Sequence, residues 1–512
     1  MKLIKLSKIA MAVTALAAAP ATFALTPAQV DVSTVRLWLS GASAPSAAMY
    51  KGVLTLCQGM QYKDALGVTH TNPGARDAHI YLESSTAGKL PGGAGDRMAY
   101  ACTVQTDDGR AGSLEAKKVV VFHTVEGGSF NYVAPHISIA GEVNANLPGN
   151  LKRTSNIEGL AAAGQCANGV AENAAVEISG ISNTVGVYRG CATTTQAFAS
   201  GQGLRANVLQ APDRPEGGFS DTEYEINKLN LGITTGLGSI GSEVPTRIGQ
   251  GFGVAVSYPL YYRLQKNDFA ARKMAGTCVA SQFTAASPNL TGACQPSLAA
   301  AKYTAFANVA NLTGLDGSVF GASAGTKVNL VRRVPTSGTQ SASNLRFLNK
   351  PCATGAAGGA LEPARAANST AQVVITEQSG TGGVKTTLTA ATTAGEFGMG
   401  VVSIENVPVA GTDKWAFVKL DDVSPNFKGG VADAKQRANA ISGFYDFWYE
   451  LTAFTATTAF TEGEDLISAL VNSLGNPGIT DLTGLFITKD AGVSGSNVSL
   501  LSRSGNSCQA PF

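Results

Sequence analysis

Val328-Asn329-Leu330-Val331-Arg332-Arg333 runs directly into Val334-Pro335-Thr336-Ser337-Gly338-Thr339, and a helical pattern follows from Gln340 to about Leu348. A short apolar run, a Pro/Gly turn and a helix predict one strand-turn-helix unit of an α/β protein with a mostly parallel sheet. Strands buried on both faces read as continuous hydrophobic runs. The turn also carries chemistry. A helix start presents unpaired N–H groups and a partial positive charge, so it attracts anions. Ser337 and Thr339 add hydroxyl donors, and Gly338 lets the backbone approach a ligand closely. Arg333 can donate two parallel hydrogen bonds to neighbouring oxygens of a phosphate. Ser-Gly-Thr before a helix is also an ordinary N-cap and turn; the spacing to Arg333 is what points beyond that.

The same unit recurs upstream. Val35-Arg36-Leu37-Trp38-Leu39 leads through Ser40-Gly41-Ala42-Ser43-Ala44-Pro45 into a helical pattern at Met49, Val53 and Leu56. Lys118 to His123 leads through Thr124-Val125-Glu126-Gly127-Gly128-Ser129 into a helix expected over Phe130 to His136. In parallel sheets ligands sit beyond the carboxyl ends of the strands, in these turns. A fourth turn, Gly218-Phe219-Ser220-Asp221-Thr222-Glu223, brings an acid. An ionised carboxylate only accepts hydrogen bonds. Placed among donors, Asp221 would welcome an anion that still carries a proton and repel one that has none, which separates hydrogen phosphate from sulfate. The plain alternative for Asp221 is an N-cap of the following helix.

Further strands are expected over Gly251–Val256, Phe397–Ile404, Trp415–Leu420 and, as a short aromatic one, Tyr445–Glu450, with a helix over Glu462–Leu474. Gly/Ala/Asn-rich stretches at roughly 60–115, 140–215 and 275–325 read as long loop insertions in a smaller α/β core. They hold six of the eight cysteines.

Bulk properties narrow the classes. A length of 512 residues exceeds one compact core. A formal charge of +2 and only 14% charged residues leave no basic field for a nucleic-acid partner. Lys2, Lys5 and Lys8, an apolar run from Ile9 to Ala19 and the small residues Ala21-Thr22-Phe23-Ala24 have the layout of a cleaved secretory leader over 1–24. No later apolar stretch approaches the ~20 residues of a membrane helix, so no membrane insertion is expected after cleavage. Eight cysteines suit an oxidising compartment and allow 105 connectivities. Pairing sequential neighbours (57 with 102, 166 with 191, 278 with 294) would leave 352 with 508. Four scattered histidines and no C-x-x-C argue against a zinc site.

In order and content these segments resemble the phosphate-binding receptors of phosphate ABC transporters, within the type 2 periplasmic binding protein fold. The resemblance runs from Leu39-Ser40-Gly41-Ala42-Ser43-Ala44-Pro45, through Glu126-Gly127-Gly128-Ser129 and Gly218-Phe219-Ser220-Asp221, to the hinge-crossing strand Gly251–Val256. It ends at the Arg-x-x-x-Ser-Gly-Thr motif of Arg333, Ser337, Gly338 and Thr339 and the returning strand at Phe397–Val401. It covers about 300 residues in pieces, and only the Arg-Ser-Gly-Thr motif is specific. It implies two α/β lobes: residues 25–250 as the first part of lobe one, 251–395 as lobe two, and 396–512 returning to lobe one. It implies oxyanion contacts from Ser43, Ala44, Ser129, Asp221, Arg333, Ser337, Gly338 and Thr339, and an ABC permease as partner. A periplasmic or extracellular solute-binding protein for phosphate or a related oxyanion is therefore expected, with no cofactor, metal or catalytic residue. Two other classes remain: a surface or matrix protein that kept the fold without the ligand, and an exported phosphatase. For the phosphatase, no histidine or lysine is sited to activate Ser129 or Ser337.

Overall fold

The computed structural model describes residues 35–92, 97–106, 109–125, 127–142, 152–154, 166, 171–192, 195–197, 215–279, 283–308, 314–353 and 372–512. The expected leader at 1–24 lies outside them. In chain order the elements that build the core begin with β1 (Val35–Gly41), α1 (Ser46–Leu54), β2 (His79–Leu82), β3 (Arg97–Thr103), β4 (Lys118–Thr124) and α2 (Ala134–Ile139). Then come β5 (Glu172–Ile178), β6 (Ile181–Tyr188), β7 (Gly217–Ser220), α3 (Tyr224–Leu231), β8 (Gly241–Ser257), α4 (Tyr258–Ala270) and α5 (Ala300–Ala307). The last group is β9 (Val328–Arg333), α6 (Gly338–Leu348), β10 (Val373–Gln378), α7 (Thr381–Ala394), β11 (Phe397–Ser403), β12 (Trp415–Phe417), β13 (Trp448–Ala456), α8 (Thr461–Leu474) and β14 (Leu485–Ile487).

Among the described residues these strands form one 14-stranded mixed sheet in the order β10-β9-β11-β8-β13-β7-β1-β4-β3-β2-β6-β5, with β12 and β14 also pairing on β8. Each half has a parallel centre. In one, β1 lies between β4 and β7, all parallel; in the other, β9 lies between β10 and β11, also parallel. Every residue of β1 is buried, Arg36 and Ser40 included, as a strand covered on both faces requires. The halves meet in β8, a 17-residue strand. Its first part, Gly241–Gly251, pairs antiparallel with β13, and Phe252–Val256 pairs antiparallel with β11. Small residues let it pass. A Cβ on Gly251 would lie 2.3 Å from the Ile404 Cδ1, and one on Gly253 would lie 2.8 Å from the Phe417 ring.

Each half has its own core, which makes the molecule two-lobed. One gathers Leu37, Leu39, Met49, Val53, Ile80, Val121, Ile467 and Leu470. The other gathers Phe252, Val254, Leu260, Phe306, Phe320, Leu330, Phe347 and Phe447. The expected boundary at 250/251 falls within β8. The one at 395/396 falls just before β11, whose Phe397, Met399 and Val401 belong to the second core. In α8 the buried positions Gly463, Leu466, Ile467, Leu470 and Leu474 form one apolar stripe, and Glu462 and Glu464 sit in its first turn, where the helix end is positive.

Three local expectations change. The stretches read as loop insertions supply β2, β3, β5 and β6, which extend the sheet at one end; their strand signals, such as His-Ile-Tyr-Leu at 79–82, are short and set in Gly-rich surroundings. The aromatic strand starts at Trp448, not Tyr445, and runs nine residues to Ala456. After Ser129 the chain makes a short 3₁₀ turn through Tyr132 before α2 begins at Ala134. The disulfides join Cys57 to Cys102, Cys166 to Cys191, Cys278 to Cys294 and Cys352 to Cys508. That is the sequential-neighbour pairing. No described helix is long and apolar enough to cross a membrane.

Leu470 is fully buried where α8 meets α1. Leu470→Ala should lower unfolding free energy by about 2–5 kcal/mol in urea titration, whereas Leu229→Ala, at a 55% exposed position, should change it by no more than about 0.5 kcal/mol.

Candidate functional site

The turn that follows β7 and the turn that follows β9 come from different lobes and meet. Asp221 follows the last residue of β7 and is buried, with 7% of its surface exposed. Ser129 opens the turn after β4, preceded by Gly128 in a left-handed conformation at φ +94°. The Ser129 hydroxyl donates to Asp221 Oδ2 at 2.8 Å. The first residue of α6, Gly338, lies on this pair: a Cβ there would sit 2.4 Å from Asp221 Oδ2 and 2.7 Å from Ser129 Oγ. Only glycine lets the start of α6, with its unpaired N–H groups, come this near a carboxyl and a hydroxyl.

Ser337 is the N-cap residue of α6, but its side chain makes no capping bond. Thr339, in the first turn, is also buried. The two turns are joined at their rims. The Phe130 amide donates to the Thr336 carbonyl at 3.0 Å, and the Thr336 hydroxyl donates to the Gly127 carbonyl at 3.1 Å.

Arg333, at the end of β9, donates from Nη1 to Thr381 Oγ1 at 2.9 Å and from Nη2 to the Ser379 carbonyl at 2.8 Å. Its Nε is buried and has no hydrogen-bond partner. Asp221 Oδ1 is in the same condition. Burial pushes the Asp221 carboxyl up from the ordinary range; the Ser129 hydrogen bond and the charge of Arg333 pull it partly back. Burial likewise pushes Arg333 down, and the Asp221 charge opposes this. The two groups sense each other inside the protein without forming a direct ion pair.

Of the residues expected from sequence, the structure brings together Ser129, Asp221 and Gly338 by contact and Arg333 by charge, with Ser337 and Thr339 in the same helix start. It does not bring Ser43 and Ala44 into that cluster. Ser43 is exposed and Ala44 half-buried. Their turn reaches the site only through backbone: Gly41, at φ +121°, packs on the Phe219 carbonyl, and the Ala42 amide donates to that oxygen at 2.7 Å.

Sequence reading missed several polar residues around the site. Along α3 and α6, Ser341 Oγ donates to Asn227 Oδ1 at 2.7 Å and Asn344 Nδ2 to Asn230 Oδ1 at 3.2 Å. Glu405, just past β11, accepts from Ser403 Oγ at 2.6 Å and from Gln250 Nε2 of β8 at 2.9 Å. Burial raises its carboxyl, and the Asp221 charge adds to the effect. Glu223, two residues beyond Asp221, accepts from the amide and hydroxyl of Ser507, and burial pushes it up to about 7. No motif marks any of these, and Glu223, though it closes the turn that carries Asp221, has no spacing signal of its own. Among the described residues no group of three or more His, Cys, Asp or Glu is placed to hold a metal ion.

The cluster thus sets a helix start, the Ser129 hydroxyl and the charge of Arg333 around one carboxyl whose Oδ1 has no partner. No family model matches the chain, and no curated protein matches it. Two solved structures are similar. One is a putative phosphate ABC transporter substrate-binding protein with bound phosphate from Clostridium perfringens, 13% identical, with 52% of this chain and 76% of that chain covered and a TM-score of 0.29. The other is a possible phosphate binding protein from Planctomyces limnophilus, 11% identical, with 51% and 66% covered and a TM-score of 0.24. At these scores the fold rests on the chain's own strand order and cores.

Two outcomes test the geometry. Gly338→Ala should cost about 1–3 kcal/mol of stability by overpacking against Asp221. Gly382→Ala, in the first turn of α7 with nothing within 4 Å of the added carbon, should be neutral or stabilising by up to about 1 kcal/mol. For Glu223, the folded chain keeps its proton up to about pH 7, whereas the unfolded chain loses it near 4.5. Between those values the folded state binds more protons, so this group's contribution to stability falls as pH rises, then levels off. Glu223→Gln should therefore gain on the natural protein by roughly 3 kcal/mol from pH 4.5 to pH 8 in parallel urea titrations.

Proposed function

We propose that this chain is an exported solute-binding protein that closes two α/β lobes around phosphate or a similar small oxyanion carrying a proton. The observation that carries the reading is the junction of Asp221, Ser129 and Gly338. There a buried acid with one unpartnered oxygen meets the start of a helix, and the charge of Arg333 reaches it. In this reading Ser337, Thr339 and the amides at Gly338 and Thr339 donate to the anion, the Ser129 hydroxyl holds Asp221 in place, Arg333 supplies charge, and Asp221 accepts a hydrogen bond from the anion's proton. The rim residues Ser43 and Ala44 would reach the anion only if their turn moved inward. Lobe one would comprise the chain up to about Gly251 and from about Glu450 onward, and lobe two the residues between, with Trp448, Tyr449 and Phe486 packed into its core.

Four disulfides fit an oxidising compartment, and with the leader at 1–24 they support a periplasmic or extracellular location. Delivery to an ABC permease would be the expected use of a periplasmic receptor of this kind. A binding role needs no activated nucleophile, and the Ser129 hydroxyl is committed as a donor to Asp221.

One observation favours a second reading, a structural protein that retained the fold without the ligand. The protein's own groups close the rim, through Thr336 with Gly127 and Phe130, and Arg333 is held by Thr381 and Ser379.

Isothermal titration of the mature protein with phosphate and then sulfate at pH 7.5 separates the two. The receptor reading expects phosphate to bind and sulfate to bind far more weakly. Arg333→Ala should weaken phosphate by about 10- to 100-fold, the scale of a lost charged hydrogen bond, and Asp221→Asn should narrow the difference between the two anions. Absence of heat with both anions would leave the structural reading.

A further inference from the structure

Helix α6 meets the first lobe at both ends. Its start lies on Asp221 and Ser129. Its other end runs through Asn349 to Cys352, which is bonded to Cys508 in the C-terminal tail, 156 residues away. That tail is held to the crossing strands and to both lobes, with Arg503 Nη2 donating to the Asp446 carbonyl at 2.8 Å. Arg503 donates from its amide to Glu450 Oε1 at 2.7 Å and from Nε to the Trp448 carbonyl at 2.9 Å. Its guanidinium lies over the rings of Tyr449, at 4.7 Å, and Trp448, at 5.1 Å. The Gly505 amide donates to Glu450 Oε2 at 2.6 Å, and a Cβ on Gly505 would touch Pro245 of β8 at 3.1 Å. Ser507, next to Cys508, donates its amide and hydroxyl to Glu223, which stands between Asp221 and α3.

We propose that residues 502–508 with the Cys352–Cys508 bond form a strap that ties the far end of α6 to the first lobe. The lobes can then part only at the Asp221 edge, by a pivot about the strapped end. A free hinge would let α6 leave α3 along its whole length, because the bonds between them are two side-chain pairs, Ser341 with Asn227 and Asn344 with Asn230. Hydrogen bonds of that kind open and close readily, whereas the covalent link does not. The strap keeps the Asn344–Asn230 end closed while the Gly338–Asp221 end is free to breathe. It is independent of what, if anything, binds at Asp221.

Hydrogen exchange on the oxidised protein without added anion tests this. In the double variant Cys352→Ser/Cys508→Ser, amides of 342–348 and 224–231 should exchange at least about tenfold faster than in the natural protein, with β1 and β4 unchanged. Equal protection of these helices in both proteins would overturn the strap. So would a loss of protection that spreads to β1 and β4, since the bond would then hold the fold rather than the hinge. Ser507→Ala, which keeps the disulfide, should loosen 503–507 and leave 342–348 within about twofold of the natural rate. Loosening of α6 as large as in the double variant would show that the Ser507 contacts, not the covalent tie, hold it. A null result in phosphate titration would leave each of these outcomes readable.

Discussion

One strand has to satisfy two ladders and two cores at once. β8 gives its first eleven residues to β13 and the rest to β11 and β12, so whatever fixes its path fixes how the two halves of the sheet meet. The passage is narrow. Phe486, Ile404 and Phe417 lie against Gly249, Gly251 and Gly253, within 3 Å of where a Cβ would stand. Three glycines, alternating along the strand, lie where neighbouring side chains leave no room for a methyl group. The Phe252 carbonyl, in the middle of the passage, accepts from the Tyr445 hydroxyl at 2.7 Å, which ties the chain entering β13 to the strand leaving the first half. The meeting of the turns after β7 and β9 follows from this geometry, because both strands are placed by their distance from β8 in the sheet order.

Where the two halves face each other, polar pairs stand beside the buried Ile226 of α3, which joins the second core. Between α3 and α6 the pairs are Asn with Ser and Asn with Asn, and the rims join by backbone and hydroxyl bonds. Buried polar groups cost free energy unless paired, and their pairing is directional. Such an interface closes in one register and gains little from partial closure. A hydrophobic contact of the same area would close more strongly and with less discrimination.

Much of this was legible in sequence, for definite reasons. The units at 35–56 and 328–348 show because strands buried on both faces need continuous apolar runs, and because turns need Gly and Pro. The disulfides pair as chain neighbours. Other features left no such trace. β2, β3, β5 and β6 are short or alternate with exposed polar positions in Gly-rich stretches, so their membership of the sheet depends on partners far away in the chain. The start of β13 is hidden because Tyr445 and Phe447 look like strand residues yet serve as packing and hydrogen-bonding groups beside β8. Around the candidate site, Arg333, Ser337, Gly338 and Thr339 are marked in the sequence by their spacing, and Ser129 and Asp221 only by the order of the turns. Glu223, Asn227 and Glu405 are not marked, since each owes its place to tertiary packing alone.

The buried acids supply the sharpest contrast. In a chain with only 14% charged residues, several carboxylates lie inside and serve as knots between distant segments. Glu243 accepts from Tyr132, Thr452 and the Tyr224 amide. Glu450 accepts from Ser502 and the amides of Arg503 and Gly505. Glu405 is bonded by Ser403, Asn406 and Gln250. In each, both oxygens have donors, as a group buried for stability requires. Asp221 breaks the pattern. It sits as deep as the others, yet only Oδ2 is bonded, while Oδ1 has no partner and an incompletely bonded guanidinium acts on it through charge alone. A knot built for stability would not leave half of its acceptor capacity unused beside a helix start. That imbalance separates Asp221 from Glu243, Glu450 and Glu405, and it is the observation on which the proposed acceptor role rests.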